Sequence, residues 1–350
     1  MGAMPRAFKV GLTRDFLKAD GSIAFGDIGL DLLDAAAGVE REFLREDVKE
    51  LKPEQAREHD ALLVLAPRVT AATLDGAERL LVVARFGVGY DNVDVEACTR
   101  QGVALTITPD GVRRPVAVSA ITLLLAAAHK VVVKDRLTRE GRWSEKLNHM
   151  GMGVTGRTMG LIGLGNIGRE TAALAKPFEM RLVAHDPYAS AADAARAGVE
   201  LVSLEDLLKT SDFVCVTCAL TPETRHLLDA RRIALMKPSA YLINVARGPI
   251  VDQKALVDAL KARRIQGAAL DVFEEEPVKA DDPMLALENV TLAPHAICWT
   301  DECFRGNGLS ACRSILDAAG GRPPKNVVNR EVLETPRFQE KLRRFAGARR

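Results

Sequence analysis

The chain has 350 residues, of which 47% are hydrophobic, and its 48 Lys and Arg residues against 47 Asp and Glu give a formal net charge of +1. This length suits about two domains, and the near-neutral balance gives no electrostatic case for a nucleic-acid partner or a membrane surface. The opening stretch MGAMPRAFKVGLTRDF lacks the apolar core of a signal peptide, and the six cysteines of this long chain then suggest reduced thiols, so we expect a cytoplasmic protein.

The first third of the chain alternates short apolar runs with helical stretches. The runs FKVGL, ALLVLA, LLVVARF and VALTI predict parallel strands, and GLDLLDAAAG, KPEQAREH and DVEACTRQG are typical of helices or helix ends. This alternation predicts an open, mostly parallel sheet with helices on both faces. A long helix is predicted from about Pro115 to Val133. Its apolar run, Val116–Ala128, is too short to span a bilayer, which indicates a core helix and no membrane partner.

A second alternation follows the stretch GRWSEKLNHMGMGVTG. Strands are predicted at TMGLIGLG, MRLVAHD, DFVCVTC, AYLINVA, GAALDVF and NVTLAPH, with helices at NIGRETAALAK, AADAARAG and DQKALVDALKARR. The fold class predicted is therefore α/β, with two doubly wound parallel-sheet domains. Helix returns in the last fifty residues, where RGNGLSACRSILDAAGG stands and where the basic tail RFQEKLRRFAGARR favours a solvated helical end over a nucleic-acid arm.

The two cysteines of DFVCVTC, Cys215 and Cys218, have a CxxC spacing. In a strand, residues three apart point to opposite faces of the sheet. The spacing therefore favours two buried thiols over a metal or redox site, and we expect no metal.

A glycine-rich turn, GLGNIG, follows one of these strands and opens a predicted helix. Its glycines Gly163, Gly165 and Gly168 fit G-x-G-x-x-G, and an acid follows 18 residues after the last of them, a context that predicts dinucleotide binding. Gly163 permits the tight turn, Gly165 leaves room for a pyrophosphate and Gly168 lets helix and strand pack closely. The amides of Asn166 and Ile167, at the positive end of the helix dipole, would face the phosphates.

The acid in question, Asp186 of VAHDPY, ends the next strand. A carboxylate at this place can accept both hydroxyls of an adenine ribose and would repel a 2′-phosphate. The sequence therefore predicts NAD as cofactor, in preference to NADP; an ordinary turn Asp before a proline is the less favoured alternative.

Three further strand ends carry charged or titratable side chains. Arg247 follows LINVA, Asp271 and Glu276 frame DVFEEEP, and His295 follows VTLAP. Each has a structural alternative: a surface ion pair for the Arg, a solvated acidic run for the Glu and a core position for the His. Because ligands of doubly wound sheets bind at the carboxyl ends of strands, the three ends together predict an active site.

These motifs resemble, in order and spacing, the D-isomer-specific 2-hydroxyacid dehydrogenase family. The resemblance runs through ARFGVGYDNVD, GLGNIG, LTPETRHLL, INVARGPIVD, ALDVFEEEP and APH. It implies a discontinuous, flavodoxin-like substrate-binding domain of residues 1–110 and 301–350 around a Rossmann NAD-binding domain of residues 111–300. It also implies a homodimer formed through the NAD-binding domains.

The resemblance implies a role for each candidate residue in reducing a 2-oxo acid or oxidising a 2-hydroxy acid. Arg247 would bind the substrate and stabilise charge on its carbonyl oxygen, and His295 would be the proton donor or acceptor. Glu276 would hydrogen-bond His295, fix its tautomer and favour the imidazolium. The remaining implied contacts are with the substrate carboxylate, through the backbone of Gly87, Val88 and Gly89, and with the cofactor, through Val245, Ala246 and Asp271.

Some positions depart from the family pattern and leave the substrate open. Arg113 and Arg114, in ITPDGVRRPVAV, would bind a second anionic group of the substrate or be surface charges, and we weigh the two alternatives equally. Trp299 would narrow the substrate pocket or pack against the long helix predicted from about Pro115 to Val133. Arg68, after LLVLAP, ends a strand of the first domain and is another candidate for the cleft.

Two rival functions remain at this point. An NAD(H)-sensing protein like the family's corepressors would keep the same catalytic groups, although the chain lacks the long polar tails of a scaffold. A phosphite-type dehydrogenase on this fold is a remote alternative. Turnover of 2-oxo acids, or of phosphite, distinguishes the three.

Overall fold

The computed structural model describes residues 6–345, so the two ends of the predicted first domain and the end of the basic tail lie outside the described residues. The chain divides into two compact units, Met1–Val112 with Trp299–Arg350 and Arg113–Cys298. The predicted boundaries differ from these by two residues at each crossing.

The twelve strands found within residues 6–345 all pair in parallel. The first unit holds a five-stranded sheet of order β2-β1-β3-β4-β5, and the second a seven-stranded sheet of order β12-β11-β10-β9-β6-β7-β8. The strands of the first sheet are β1 Phe8–Leu12, β2 Val39–Phe43, β3 Ala61–Val64, β4 Val82–Arg85 and β5 Ala104–Thr106. Those of the second are β6 Thr158–Ile162, β7 Arg181–His185, β8 Glu200–Leu201, β9 Phe213–Val216, β10 Tyr241–Asn244, β11 Gly267–Leu270 and β12 Val290–Leu292.

The helices cover both faces of each sheet. They are α1 Asp31–Asp34, α2 Pro53–Arg57, α3 Val95–Arg100, α4 Pro109–Ala128, α5 Val131–Arg139, α6 Asn166–Ala175, α7 Ala191–Ala197, α8 Leu204–Thr210, α9 Ala230–Ile233, α10 Gln253–Lys261, α11 Asp301–Ala319 and α12 Pro336–Arg343. Each unit contains two clusters of buried apolar side chains, as expected when helices pack on the two faces of a sheet.

The strand orders confirm the predicted fold class. The order 2-1-3-4-5 of the first sheet is flavodoxin-like, and in the second the order reverses between β6 and β9, as in a Rossmann sheet. Ligands of such sheets bind beyond the carboxyl ends of the strands at the reversal point. The glycine-rich turn follows β6 and therefore stands at that point of the second sheet.

The prediction for the long helix was wrong at both ends. Helix α4 begins at Pro109, six residues before Pro115, which lies inside it, and it ends at Ala128 because Lys130 adopts a left-handed φ of 54°. Among residues 6–345, α4 is the one helix long and apolar enough to cross a membrane by length and composition. Its length therefore does not exclude a membrane span, contrary to the expectation from its apolar run alone. Of the most apolar stretch of this helix, 61% is buried within the protein, as in a core helix.

Two strands were not predicted, and both lie at sheet edges. Strand β2 has the sequence VEREF, whose two exposed glutamates alternate with partly buried residues, one of them an arginine. Strand β8 has only two residues. Edge strands bury less apolar surface than central ones, so they leave a weaker pattern in the sequence.

Candidate active site

The glycine-rich turn has the geometry that a bound pyrophosphate requires. Gly163 has a φ of +100°, and a Cβ there would lie 2.7 Å from the backbone N of Cys218. A Cβ on Gly168 would lie 2.3 Å from the carbonyl oxygen of Gly163. At Gly165, by contrast, a Cβ would meet nothing within 4 Å. Two glycines are therefore needed for packing, and the third faces open space.

The open space lies at the start of α6, whose first residues are Asn166 and Ile167. The first amides of a helix have no acceptor within it and carry the positive end of its dipole, which suits them to phosphate oxygens. Thr217, at the end of β9, donates its hydroxyl hydrogen to the Gly163 carbonyl over 2.8 Å and so braces the turn. The residues of this turn fit NAD, as the sequence predicted.

Asp186 follows β7, beside the glycine-rich turn. One of its oxygens accepts the amide hydrogen of Leu164 at 2.7 Å and the other that of Tyr188 at 2.9 Å. A carboxylate offers about four lone-pair sites, so both oxygens keep acceptor capacity. The negative charge is thus fixed next to the turn, where the predicted contact with ribose hydroxyls requires it.

His295 and Glu276 form a direct hydrogen bond. The Nδ1 atom of His295 lies 2.7 Å from a carboxylate oxygen of Glu276, whose other oxygen accepts the Phe273 amide hydrogen at 2.9 Å. His295 also has a left-handed φ of 53°, a conformation that is uncommon outside glycine. Sparsely populated backbone conformations cluster at functional sites, where the surrounding structure holds them in place.

The electrostatics of this pair set the tautomer of the His295 ring. Burial opposes ionisation of Glu276, but the hydrogen bonds from His295 and the Phe273 amide outweigh it, and the pKa of Glu276 lies below its usual range. An ionised carboxylate only accepts hydrogen bonds, so Nδ1 of His295 carries a hydrogen. The Nε2 atom is then the one that gains or loses a proton.

Asp271 holds the segment that carries His295. One oxygen of this buried side chain accepts the amide hydrogens of Ala296 at 2.9 Å and Ile297 at 3.1 Å. Burial raises the pKa of Asp271, and the two amide hydrogen bonds oppose that effect. The structure thus gives Asp271 a positioning contact, while the cofactor contact implied for it stays a prediction.

Arg247 stands in a turn built around Asn244. The side-chain amide of buried Asn244 donates to the Arg247 carbonyl at 3.0 Å, and its oxygen accepts the amide hydrogen of Ala246 at 3.0 Å. The guanidinium of Arg247 is partly buried and donates to the Ala246 carbonyl at 2.7 Å. Val245, which precedes this pair, is buried. The turn lies close to the Glu276 segment, because a Cβ on Gly248 would lie 1.8 Å from the Phe273 carbonyl oxygen.

The predicted carboxylate-binding loop, Gly87, Val88 and Gly89, belongs to the first unit. Gly87 has a φ of +134° and donates its amide hydrogen to the hydroxyl of Thr108 at 2.8 Å. Thr108 in turn donates to the buried side chain of Asn307 at 2.8 Å. The backbone of the loop is therefore fixed within its own unit, and its role toward the substrate stays a prediction.

The positions that depart from the family pattern have local partners. Arg114 pairs with Glu170 at 2.8 Å and Arg113 approaches the same carboxylate at 3.5 Å, as surface charges do. Trp299 makes edge-to-face contacts with Phe25 and with Phe304, so in these contacts it packs against α11, whereas the sequence predicted the earlier long helix. Arg68 is exposed.

Known proteins support the same identification. The sequence profile of "D-isomer specific 2-hydroxyacid dehydrogenase, NAD binding domain" matches residues 121–296. The chain is 42% identical over 292 residues to a glyoxylate reductase of Korarchaeum cryptofilum, covering 82% of this chain and 88% of that protein.

It belongs to the D-isomer-specific 2-hydroxyacid dehydrogenase family.

Two further proteins are similar to this chain. A D-3-phosphoglycerate dehydrogenase of Methanocaldococcus jannaschii is 40% identical over 312 residues, covering 89% of this chain and 57% of that protein. The crystal structure of the TT0316 protein from Thermus thermophilus superposes with a TM-score of 0.80 at 33% identity, covering 92% of this chain and all of that one. This 2-hydroxyacid dehydrogenase accordingly uses NAD, bound by residues of its Rossmann unit.

Sequence reasoning missed several residues that shape the site of this dehydrogenase. Asn244 reads as one more residue of a buried strand, and only its polarity within the run YLINVA signals its role. Thr217 directly follows a buried strand, and nothing in the sequence signals its hydrogen bond to the glycine turn. His226 lies in the motif LTPETRHLL, and the sequence predicted no role for it.

Proposed function

We propose that this dehydrogenase reduces a 2-oxo acid to the 2-hydroxy acid with NADH, giving the D-isomer where the product is chiral, with glyoxylate as the first candidate substrate. The observation that carries the proposal is the 2.7 Å pair of His295 and Glu276 beyond the ends of β11 and β12. The Arg247 turn follows β10, the neighbour of β11, and the glycine-rich turn follows β6 of the same parallel sheet. The glyoxylate reductase of K. cryptofilum, at 42% identity, supports the choice of glyoxylate.

In the proposed reaction each side chain has one task. Arg247 binds the 2-oxo acid and stabilises the negative charge that develops on its carbonyl oxygen. When bound, NADH supplies the hydride that adds to the carbonyl carbon. Nε2 of the His295 imidazolium donates its proton to the carbonyl oxygen, which leaves neutral His295 with its remaining hydrogen on Nδ1. Glu276 accepts that Nδ1 hydrogen throughout and stabilises the imidazolium before transfer.

Asp186 supports a preference for NADH over NADPH within this proposal. Its charge is fixed beside the glycine turn by the amides of Leu164 and Tyr188. A 2′-phosphate at the ribose would bring negative charge against this carboxylate, whereas two ribose hydroxyls would donate to it.

The proposal includes a homodimer formed through the NAD-binding unit. One stretch of that unit, residues 131–150, carries five large apolar side chains that are more than half exposed: Val131, Val132, Trp143, Leu147 and Met150. Large exposed apolar side chains grouped in one stretch of the chain favour a protein interface, and a second copy of the chain is the partner that the family resemblance implies. The molar mass of the native protein and of Leu147→Glu, measured by light scattering, tests this part: the native protein should be a dimer and the variant a monomer.

The activity test is NADH oxidation with a panel of 2-oxo acids: glyoxylate, hydroxypyruvate, 3-phosphohydroxypyruvate, pyruvate and larger acids. Turnover of at least one acid would support the proposed reductase activity. Tight NADH binding without turnover of any acid would contradict it and favour the NAD(H) sensor. Reduction of NAD by phosphite would instead support the phosphite-type alternative.

A further inference from the structure

A second His–carboxylate pair lies in the same unit as His295 and Glu276. The Nε2 atom of His226 lies 2.6 Å from a carboxylate oxygen of Glu274. Glu274 comes two residues before Glu276, so two acids of one short segment each bind a histidine. His226 also shares the left-handed backbone of His295, with a φ of 49°. This backbone conformation costs free energy in a residue other than glycine, so the surrounding structure must hold His226 in it.

The backbone at His226 is fastened to the segment that follows Arg247. The amide of His226 donates to the Pro249 carbonyl at 2.8 Å, two residues after Arg247. Leu228 donates to the Ile250 carbonyl at 3.0 Å, so the two segments run side by side. Movement of His226 would therefore move the turn that carries Arg247.

Glu274 is held from the other side by the start of α10. Its second carboxylate oxygen accepts the amide hydrogen of Gln253 at 3.1 Å, and its own amide donates to the Gln253 side chain at 2.9 Å. The backbone of Gly248 packs directly on the backbone at Phe273 and Glu274. The Arg247 turn is thus enclosed between His226 and the segment 273–276.

We propose that His226 and Glu274 are positioning residues for the substrate-binding Arg247. Their hydrogen bond ties the Arg247 turn to the segment 273–276, and the same segment holds His295 through Glu276. The pair therefore sets the position of the guanidinium relative to the proton donor. This inference rests on the proposed reduction of a 2-oxo acid, in which Arg247 and His295 must act on the same carbonyl oxygen.

Energetics separate this role from that of an ordinary surface ion pair. The His226 and Glu274 side chains are 42% and 33% exposed, and exposed pairs contribute little to stability. A misplacement of about 1 Å at a reacting group, by contrast, can cost about a hundredfold in rate. Loss of the pair should therefore appear in substrate binding and turnover while thermal stability changes little.

The experiment measures the Kd of oxamate, a non-reducible 2-oxo acid analogue, in the presence of NADH, together with kcat and KM for glyoxylate and the Kd of NADH. In Glu274→Gln the charge is lost and only one of the two terminal atoms can still accept, so the contacts with His226 and with the Gln253 amide are weakened. We expect this variant and His226→Ala to raise the oxamate Kd and the glyoxylate KM about tenfold, with the NADH Kd within about twofold of native. His226→Gln, which keeps a side-chain donor, should recover most of the loss.

Two controls make the result specific. Glu275→Gln removes the neighbouring exposed acid, which pairs with Lys279 at 2.8 Å, and should leave all constants unchanged. In an Arg247→Ala background, Glu274→Gln should have no further effect on oxamate binding, because coupled residues are not additive. Equal effects of Glu274→Gln with and without Arg247 would overturn the inference, as would native oxamate binding in both Glu274→Gln and His226→Ala. If the native protein reduces no 2-oxo acid, the proposed function fails and takes this inference with it; the other negative results remove the inference alone.

Discussion

Glu276 and His295 are joined by a 2.7 Å hydrogen bond between the loops that follow β11 and β12. The bond orients the imidazole through Nδ1 and leaves Nε2 for proton transfer. Asp271 accepts a hydrogen bond from the backbone amide of Ala296, the residue after His295. Both the ring and the backbone at His295 are therefore held by residues that follow β11. The proposed proton donor is thus held in place by the protein itself, which is what general acid catalysis requires.

The glycine-rich turn gives a matched pair of predictions. Gly168→Ala would bring a Cβ within 2.3 Å of the Gly163 carbonyl oxygen, so it should lower the free energy of unfolding by about 1–3 kcal/mol. Gly165→Ala meets open space and should leave stability unchanged while weakening NADH binding at least tenfold. Thermal unfolding and NADH fluorescence measure the two effects. Equal loss of stability in both variants would contradict the assignment of Gly165 to the cofactor.

Asp186 gives a prediction about cofactor choice. Asp186→Asn keeps an acceptor for one of the two backbone amides that Asp186 binds and removes the charge that repels a 2′-phosphate, so the ratio of kcat/KM for NADPH to that for NADH should rise about tenfold. Steady-state kinetics with both cofactors measure the ratio. Equal use of NADPH and NADH by the native enzyme would refute the argument.

The pairing of Arg113 and Arg114 with Glu170 gives a prediction about substrate charge. Because both guanidinium groups have a carboxylate partner on the surface, Arg113→Ala should change KM for glyoxylate and for 3-phosphohydroxypyruvate by similar factors, within about twofold. A rise confined to the phosphorylated acid would instead show that Arg113 binds a second anionic group.

Lys341 gives a prediction about stability and pH. Its ammonium is buried in the first unit and donates to the carbonyls of Leu80 at 2.8 Å and Gln101 at 2.7 Å. Burial lowers the pKa of Lys341 to about 8. The folded state therefore binds this proton more weakly than the unfolded state, so stability from this group should rise as pH rises from about 8 to 10.5, by about 3 kcal/mol at most.

The check is chemical denaturation of the native protein and Lys341→Met across that pH range. The variant should be less stable at every pH, because buried carbonyls lose their donor. The difference between the two proteins should widen with pH. A constant difference would show that Lys341 titrates in the folded state as it does in the unfolded one.

Much of the fold was predictable because its central strands are buried on both faces. Runs such as FVCV and ALLV are apolar throughout, which is typical of parallel strands, whereas the edge strand VEREF is not. The start of α4 was misplaced because a proline fits both the first turn of a helix and, with one lost hydrogen bond, its interior.

The candidate site divides in the same way. Arg247, Glu276 and His295 stand out because charged or titratable residues are unusual at the ends of buried strands. The residues that hold them, such as Asn244 and His226, act through contacts between segments distant in sequence. Spacing along the chain carries no signal for such contacts, so only the structure reveals them.

The most direct test of the central claim is single-turnover oxidation of NADH by native protein and His295→Asn, with the 2-oxo acid that the native enzyme reduces fastest. Asn tolerates the left-handed backbone of this position and cannot donate a proton as an imidazolium does. We predict a loss of at least about a hundredfold in the rate of reduction, with the NADH Kd unchanged. A variant that reduces the acid at the native rate would contradict the role of His295 as proton donor.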